Sequence, residues 1–193
     1  GKRGTGETGN PAIWQSGNSA DGGAIGQSGD TELLIAQSPS RQVAGLAPEV
    51  AREHFALATR RSLASVEKYI ALGVDQIGVG GDFAGNRPLI SPAAYRSFIV
   101  PEVRRVSRRV HEAGLWAVNA SDGDLWPVIE DFLFGCEVDG YLEIDLHAGM
   151  GLRRLKAAFG GRICFYGNLD CGNILSFGSA DDVRRHTLEC LEA

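Results

Sequence analysis

Apolar, strand-like runs alternate along this chain with segments of helical periodicity. The runs cover residues 74–79, 115–118, 138–144 and 163–166, and the stretches between them are long enough to hold a helix. Short strands that alternate with helices are typical of parallel sheets built from βαβ units. The pattern therefore predicts an α/β fold with about four parallel strands.

The helical segments carry local start and stop signals. The first has Pro48 at its beginning and Gly73 as its stop. A second helix begins after Ser91 and is expected to kink or divide at Pro101. The last helix opens with the capping-box pattern of residues 179–182. The predicted apolar face of the first helix consists of Val50, Phe55, Ala58, Val66 and Ile70.

Each strand-like run ends in small polar or acidic residues. In a β/α barrel the carboxyl ends of the strands carry the chemistry, and a complete barrel has eight βα units in roughly 250 residues. This chain has 193 residues. We therefore expect a partial (β/α)8 TIM barrel of about four βα units, with its candidate site at the strand ends.

The chain divides by composition into two parts. Residues 1–45 are rich in glycine and polar residues, which favours an irregular leader, and residues 46–193 form the predicted barrel portion. The Gly4-x-Gly6-x-x-Gly9 pattern is not interpreted as a dinucleotide fingerprint, because no strand precedes it.

Charge and hydropathy limit the classes of partner. The net charge of −5 gives no electrostatic footprint for nucleic acid. No secretory signal and no apolar run of membrane-spanning length is present, so we expect no membrane partner and a cytoplasmic location. A small-molecule ligand is expected. Exposed sheet edges also predict a homo-oligomer, in the simplest case a dimer.

The strand ends supply the candidate site residues. Three acids are predicted to be catalytic, namely Asp82, Asp122 and Asp145. Seven further residues are predicted to bind substrate, namely Gly81, Asn119, Ser121, Glu143, His147, Asn168 and Asp170. Turn formation or helix capping is the competing interpretation of the aspartates and asparagines.

Glu143 and Asp145 alternate on one predicted strand and are expected to share a face. Together with Asp122 and His147 they form a hypothetical divalent-metal site, because carboxylates and imidazole are common metal ligands. The main interpretation needs neither a metal nor another cofactor.

Residues from about 48 to 193 resemble the C-terminal portion of the uroporphyrinogen decarboxylase superfamily. The matching segments are Ala71-Leu72-Gly73-Val74-Asp75, Gly81-Asp82-Phe83-Ala84-Gly85, Ser121-Asp122-Gly123-Asp124 and Tyr166-Gly167-Asn168-Leu169-Asp170, with Ile90-Ser91-Pro92 and Pro101 between them. The resemblance implies a β/α barrel. It also implies either a decarboxylase that removes acetate carboxyls from a tetrapyrrole without a cofactor, or a related methyltransferase that works through zinc.

The resemblance also has implications for individual positions of this chain. Asp82 falls where the decarboxylases place a substrate-contacting serine, and Asn168 and Asp170 belong to the family's Gly-Asn-x-Asp turn. The methyltransferases have a His-x-Cys pair where this chain has Asn119 and Ser121, which are poor zinc ligands. The acids at the strand ends favour a protonated or metal-linked small molecule over an anionic tetrapyrrole.

The resemblance thus predicts a fragment or truncated member of the superfamily acting as a cofactor-independent carboxy-lyase. One alternative is a methyltransferase relative without the zinc ligands. Another is a non-catalytic half-barrel that acts by self-association or small-molecule binding.

Overall fold

The computed structural model describes residues 47–85 and 88–193 and contains one parallel four-stranded sheet in the order β1-β2-β3-β4. Residues directly opposite each other include Ile77 and Ala117, Asn119 and Tyr141, and Tyr141 and Phe165. The predicted α/β architecture with four parallel strands is confirmed. The strands are β1 (Gln76–Gly78), β2 (Trp116–Ala120), β3 (Gly140–Leu142) and β4 (Cys164–Phe165).

Helices occupy the connections between the strands, as expected of βα units. They are α1 (Pro48–Leu72), α2 (Pro92–Ala94), α3 (Val100–Glu112), α4 (Leu152–Phe159), α5 (Ile174–Phe177) and α6 (Ala180–Glu192), with π-helical turns at Tyr95–Ile99 and Asp131–Gly135. Strands that alternate with helices in one parallel sheet fit part of a β/α barrel. The predicted leader, residues 1–45, lies outside the described residues, and its boundary stays a prediction.

The first helix begins and ends where its sequence signals place it. Pro48 lies in the first turn, and Gly73 ends α1 in the left-handed region at φ 73°. The predicted apolar face is partly wrong, because Val50 and Ala58 are exposed. The buried side of α1 is instead formed by Ala51, Phe55, Thr59, Leu63, Val66 and Ile70.

The second helical segment was expected to kink or divide at Pro101, and it instead continues from Pro92 to Glu112 through a π-helical turn just before the proline. The Ser91 side chain accepts a hydrogen bond from the backbone N–H of Ala94 and caps its start. The π-helical turn then ends with the N–H of Val100 donating to the carbonyl of Tyr95. Proline has no N–H to continue the ordinary α-helical ladder, so the wider turn precedes it and α3 resumes with Pro101 in its first turn.

The core lies between the sheet and the helices. Tyr141 is fully buried and makes an edge-to-face contact with Phe132 at a centroid distance of 4.9 Å. The opposite sheet face is largely open, because Trp116 is 63% exposed and Tyr166 is 37% exposed. Tyr166 lies over Gly140 and donates a hydrogen bond to Gln76 Oε1 at 2.9 Å. This open face corresponds to the interior of a closed barrel.

The last helix confirms the predicted capping box. The Ser179 hydroxyl accepts from the N–H of Asp182, and the Asp182 carboxylate accepts from the N–H of Ser179. Hydrogen bonds from the Ser179 side chain and backbone and from Arg185 lower the pKa of Asp182 to about 2. Among the helices of the described residues, none is both long and apolar enough to cross a membrane.

Candidate functional site

Two strand-end loops meet at Asp82 and Ser121. Asp82 follows β1, and Ser121 comes directly after β2. The Ser121 hydroxyl donates to Asp82 Oδ1 at 2.8 Å, and the same oxygen accepts from the backbone N–H of Ala84 at 3.3 Å. Ser121 is fully buried, whereas Asp82 is exposed. The serine therefore holds the aspartate in place while part of the carboxylate faces solvent.

Two glycines allow these loops to approach each other. A Cβ at Gly80 would overlap the side-chain amide of Asn119, which is buried beside it. Gly123 has φ 82°, and a Cβ there would overlap the carbonyl oxygen of Gly85. Sequence reasoning missed this role of Gly80 and chose Gly81, which has no atom within contact distance of a built Cβ. The glycine doublet was the available signal, but it did not show which member is constrained.

Asp122, in the loop after β2, is affected by aspartates from the two neighbouring strand ends. Burial among the loops, followed by repulsion from Asp82 and then from Asp145, raises the pKa of Asp122. Beneath them, the Tyr141 hydroxyl donates to the carbonyl of Ser121 at 3.2 Å. Burial is the main cause that raises the pKa of Tyr141, with smaller contributions from Asp122 and Asp145. The structure thus places Asp82 and Asp145 close enough to affect the pKa of Asp122, and the catalytic role of these three acids stays a prediction.

The segment after β3 differs from the expected strand. β3 ends at Leu142, and Glu143 has a left-handed backbone with φ 63°. Glu143 and Asp145 therefore do not alternate along one strand, and the prediction that they share a strand face is wrong. Asp145 Oδ1 instead accepts from the backbone N–H groups of His147 and Ala148 and shapes the turn. The Glu143 side chain is exposed and makes no hydrogen bond to the described residues.

His147 and Asp170 form a pair across the loops after β3 and β4. His147 Nε2 lies 2.8 Å from Asp170 Oδ2, with the histidine side chain 62% exposed and the aspartate side chain 6% exposed. The hydrogen bond to Asp170 is the main cause that raises the pKa of His147. The same bond lowers the pKa of Asp170 to about 2, with help from Asn173. The pair therefore favours an imidazolium at the rim of the aspartate cluster.

Asn168 braces the loop after β4. Its Nδ2 donates to the carbonyls of Ile144 and Met150, both at 3.2 Å, and its Oδ1 accepts from the N–H of Leu152 at the same distance. The residue is buried and has φ 73°, a backbone region that asparagine tolerates well. Asn168 thus satisfies three buried backbone groups, and its predicted contact with substrate stays untested.

The hypothetical metal site is not formed. Within residues 47–85 and 88–193, no three His, Cys, Asp or Glu side chains are grouped so that they could hold a metal ion. Glu143 projects from its own left-handed turn, and His147 pairs with Asp170 rather than with Asp122 or Asp145. The predicted set of Asp122, Glu143, Asp145 and His147 is therefore wrong as a ligand group.

The family model described as uroporphyrinogen decarboxylase (URO-D) matches residues 38–193 of the chain. No curated protein and no solved structure matches the sequence of this chain. The match covers most of the chain, including all four strands and all the candidate residues described above.

We expect Gly123→Ala to destabilise the protein more than Gly149→Ala. Both residues have nearly the same φ, but a Cβ at Gly149 meets no atom within 4 Å. The left-handed backbone should cost each variant about 1–2 kcal/mol. The overlap with Gly85 should add about 1–3 kcal/mol for Gly123→Ala alone. Urea unfolding measures both free energies, and equal losses would show that the two loops are not tightly packed.

We expect the His147 imidazole to titrate above its ordinary pKa of about 6.5, and Asp170→Asn to remove that shift. The pair stabilises the fold fully between the ordinary pKa values of aspartate and histidine. Its contribution is lost as pH rises through the raised pKa of His147, and as pH falls toward about 2, where Asp170 is protonated. NMR titration of the ring protons measures the pKa. Asp181→Asn, an equal charge change at the start of α6, is the control, and an unshifted wild-type pKa would contradict the pairing.

Proposed function

The chain belongs to the uroporphyrinogen decarboxylase family, and from that premise we propose that it is a cofactor-independent carboxy-lyase acting on a small molecule at the strand ends. The observation that carries this proposal is the meeting of Asp82, Asp122 and Asp145, with a raised pKa at Asp122. A carboxyl group with a raised pKa stays protonated to higher pH than an ordinary aspartate and is better suited to donate a proton.

The charge of the cleft indicates the class of substrate. Asp82 and Asp145 form no ion pair with any Lys, Arg or His of the described residues. A ligand group that is protonated on nitrogen would compensate these carboxylates. The exposed His147 ring, although paired with Asp170, offers a hydrogen-bond donor at the rim for a substrate carboxylate. A substrate with both groups suits this cleft better than a molecule that carries carboxylates alone.

The proposed step is the loss of carbon dioxide from a carboxymethyl group attached to a protonated nitrogen heterocycle. The bond between the carboxyl carbon and its neighbour breaks, and its electron pair moves toward the ring nitrogen. Asp122 in its acid form then gives a proton to the carbon, and later regains one from water. Asp82 and Asp145 favour the protonated ring that accepts the electron pair.

The test uses 4-pyridylacetate as the probe and phenylacetate, which lacks the ring nitrogen, as its control. We expect carbon dioxide release from 4-pyridylacetate only. Asp122→Asn should slow that release by about 100-fold or more, because the proton donor is lost, while calorimetry should still detect binding. Asp181→Asn should leave the rate unchanged. Equal rates for Asp122→Asn and the wild type would refute the role of Asp122.

The pH profile and the family's own substrate sharpen this test. Activity should fall as pH rises through the raised pKa of Asp122. Asp145→Asn should shift this fall in activity to lower pH, because the substitution removes a negative charge that raises the pKa of Asp122. Uroporphyrinogen serves as a second substrate in the same assay. If it reacted faster than 4-pyridylacetate, the argument from the charge of the cleft would fail.

The methyltransferase alternative gains no support from the geometry. The buried Asn119 amide packs against Gly80, and the Ser121 hydroxyl is bonded to Asp82. Both positions that would carry zinc ligands in such relatives are therefore engaged in holding the loops.

A cytoplasmic location is part of our main proposal, and it is supported by four cysteines that are free thiols.

Self-association is a second candidate function, favoured by the open sheet face. Trp116 and Tyr166 are exposed there, and the outer edges of β1 and β4 have no strand partner among the described residues. A second copy turned about the barrel axis would place β4 beside the partner's β1 and give eight parallel strands. Such a dimer would also enclose the strand-end cleft on all sides.

Light scattering coupled to size-exclusion chromatography tests this dimer. We expect a dimer for the wild type and a monomer for Trp116→Glu, because a buried unpaired charge would oppose closure. Tyr69→Glu is the control, since Tyr69 is 47% exposed on α1, in the helical layer rather than on the open sheet face. A wild-type monomer across the micromolar range would exclude self-association.

A further inference from the structure

A pocket of about 390 Å³ lies beside the strand-end cleft, outside the sheet. Its walls come from α1, the loop after β1, the segment before α2, the first π-helical turn and α3. Most of the lining side chains are apolar, including Phe55, Val79, Ile90 and Val103, while Thr59 and Ser62 add hydroxyl groups. Its volume falls within the range of small-molecule sites, roughly 300–1,000 Å³.

The pocket and the cleft share Asp82. Gly80, Gly81 and Asp82 line one end of the pocket, while Asp82 Oδ1 holds Ser121 on the cleft side. Glu102 also lines the pocket, but it is paired with Arg105 at 3.0 Å. Asp82 has no cationic partner within the described part of the chain, and no Lys, Arg or His of that part lines the pocket. Among the described residues, its carboxylate is therefore a charge without a cationic partner at the edge of an apolar space.

We propose that this pocket is an apolar subsite for a ligand that joins a hydrocarbon or aromatic body to a protonated nitrogen, with the nitrogen beside Asp82. The apolar body is favoured because its transfer from water to these walls contributes about 25 cal/mol for each Å² of apolar surface buried. An anionic end is disfavoured next to Asp82. The inference deepens the proposed function, because the same nitrogen would face the cleft where the reaction takes place.

The probes share one apolar body and differ in charge. They are 4-butylbenzylamine, which is a cation at neutral pH, 4-butylbenzyl alcohol, which is neutral, and 4-butylbenzoate, which is an anion. We expect the dissociation constant to be lowest for the amine and highest for the benzoate, with at least a tenfold difference at low salt. Asp82→Asn should remove the preference for the amine over the alcohol while the alcohol keeps its affinity.

Ala58→Phe tests whether the probes occupy this pocket. Ala58 is exposed on α1 and lines the pocket, so a phenyl ring there should weaken binding of all three probes by tenfold or more. Ala64→Phe is the matched control, because Ala64 is exposed on the same helix and lies outside the pocket. Thermal unfolding of both variants checks that they fold. Chemical shifts of the Phe55 and Val103 side chains provide a second readout in the wild-type protein.

Several results would overturn the proposal. They are the absence of amine binding at millimolar concentration, equal affinity for amine and benzoate, and binding that Ala58→Phe leaves unchanged. If Ala58→Phe unfolds the chain and no probe shifts the Phe55 and Val103 signals, the pocket is filled by protein and the proposal also fails. Carbon dioxide release from 4-pyridylacetate does not depend on these outcomes, so failure of the subsite and failure of the carboxy-lyase proposal are distinguishable.

Discussion

Every strand of a parallel sheet points its carboxyl end to the same edge, where the backbone leaves the sheet and loses its ladder partners. Those polar groups need new partners if they are buried. In this protein loop side chains supply them: Asn168 satisfies three backbone groups, Asp145 accepts from two N–H groups, and Ser121 accepts from the N–H of Phe83. The shape of the candidate cleft depends on this set of hydrogen bonds.

This constraint explains why the sequence did not show whether a polar residue at a strand end stabilises a loop or takes part in chemistry. A polar residue after an apolar strand is required for either role, and the residue type is often the same. The Asn168 side chain directs all its hydrogen bonds to backbone groups, whereas Asp82 is exposed to solvent. Only the positions of the partners distinguish these two cases. The exposed side of a residue, rather than its type, indicates which of them can meet a ligand.

Local signals predicted the parts of the fold that depend on local physics. Gly73 and the capping box of α6 act within one helical turn, and each has the predicted effect. The buried side of α1 was harder to predict, because it depends on which elements pack against a helix of 25 residues. Thr59 is buried there although it is polar, while Val50 faces outward. The end of β3 likewise depends on its neighbours β2 and β4.

Long-range pairs decide the character of the site, and no short-range pattern specifies them. Ser121 and Asp82 are 39 residues apart, and His147 and Asp170 are 23 apart. In the first pair the partner is a neutral hydroxyl, so within the described part of the chain the Asp82 carboxylate between cleft and pocket has no counter-ion. The second pair couples an acid to an imidazole, so its charge is compensated internally. Under the proposed function, a cationic ligand group is therefore expected at Asp82 rather than at Asp170, with the reacting end of the ligand between β1 and β2.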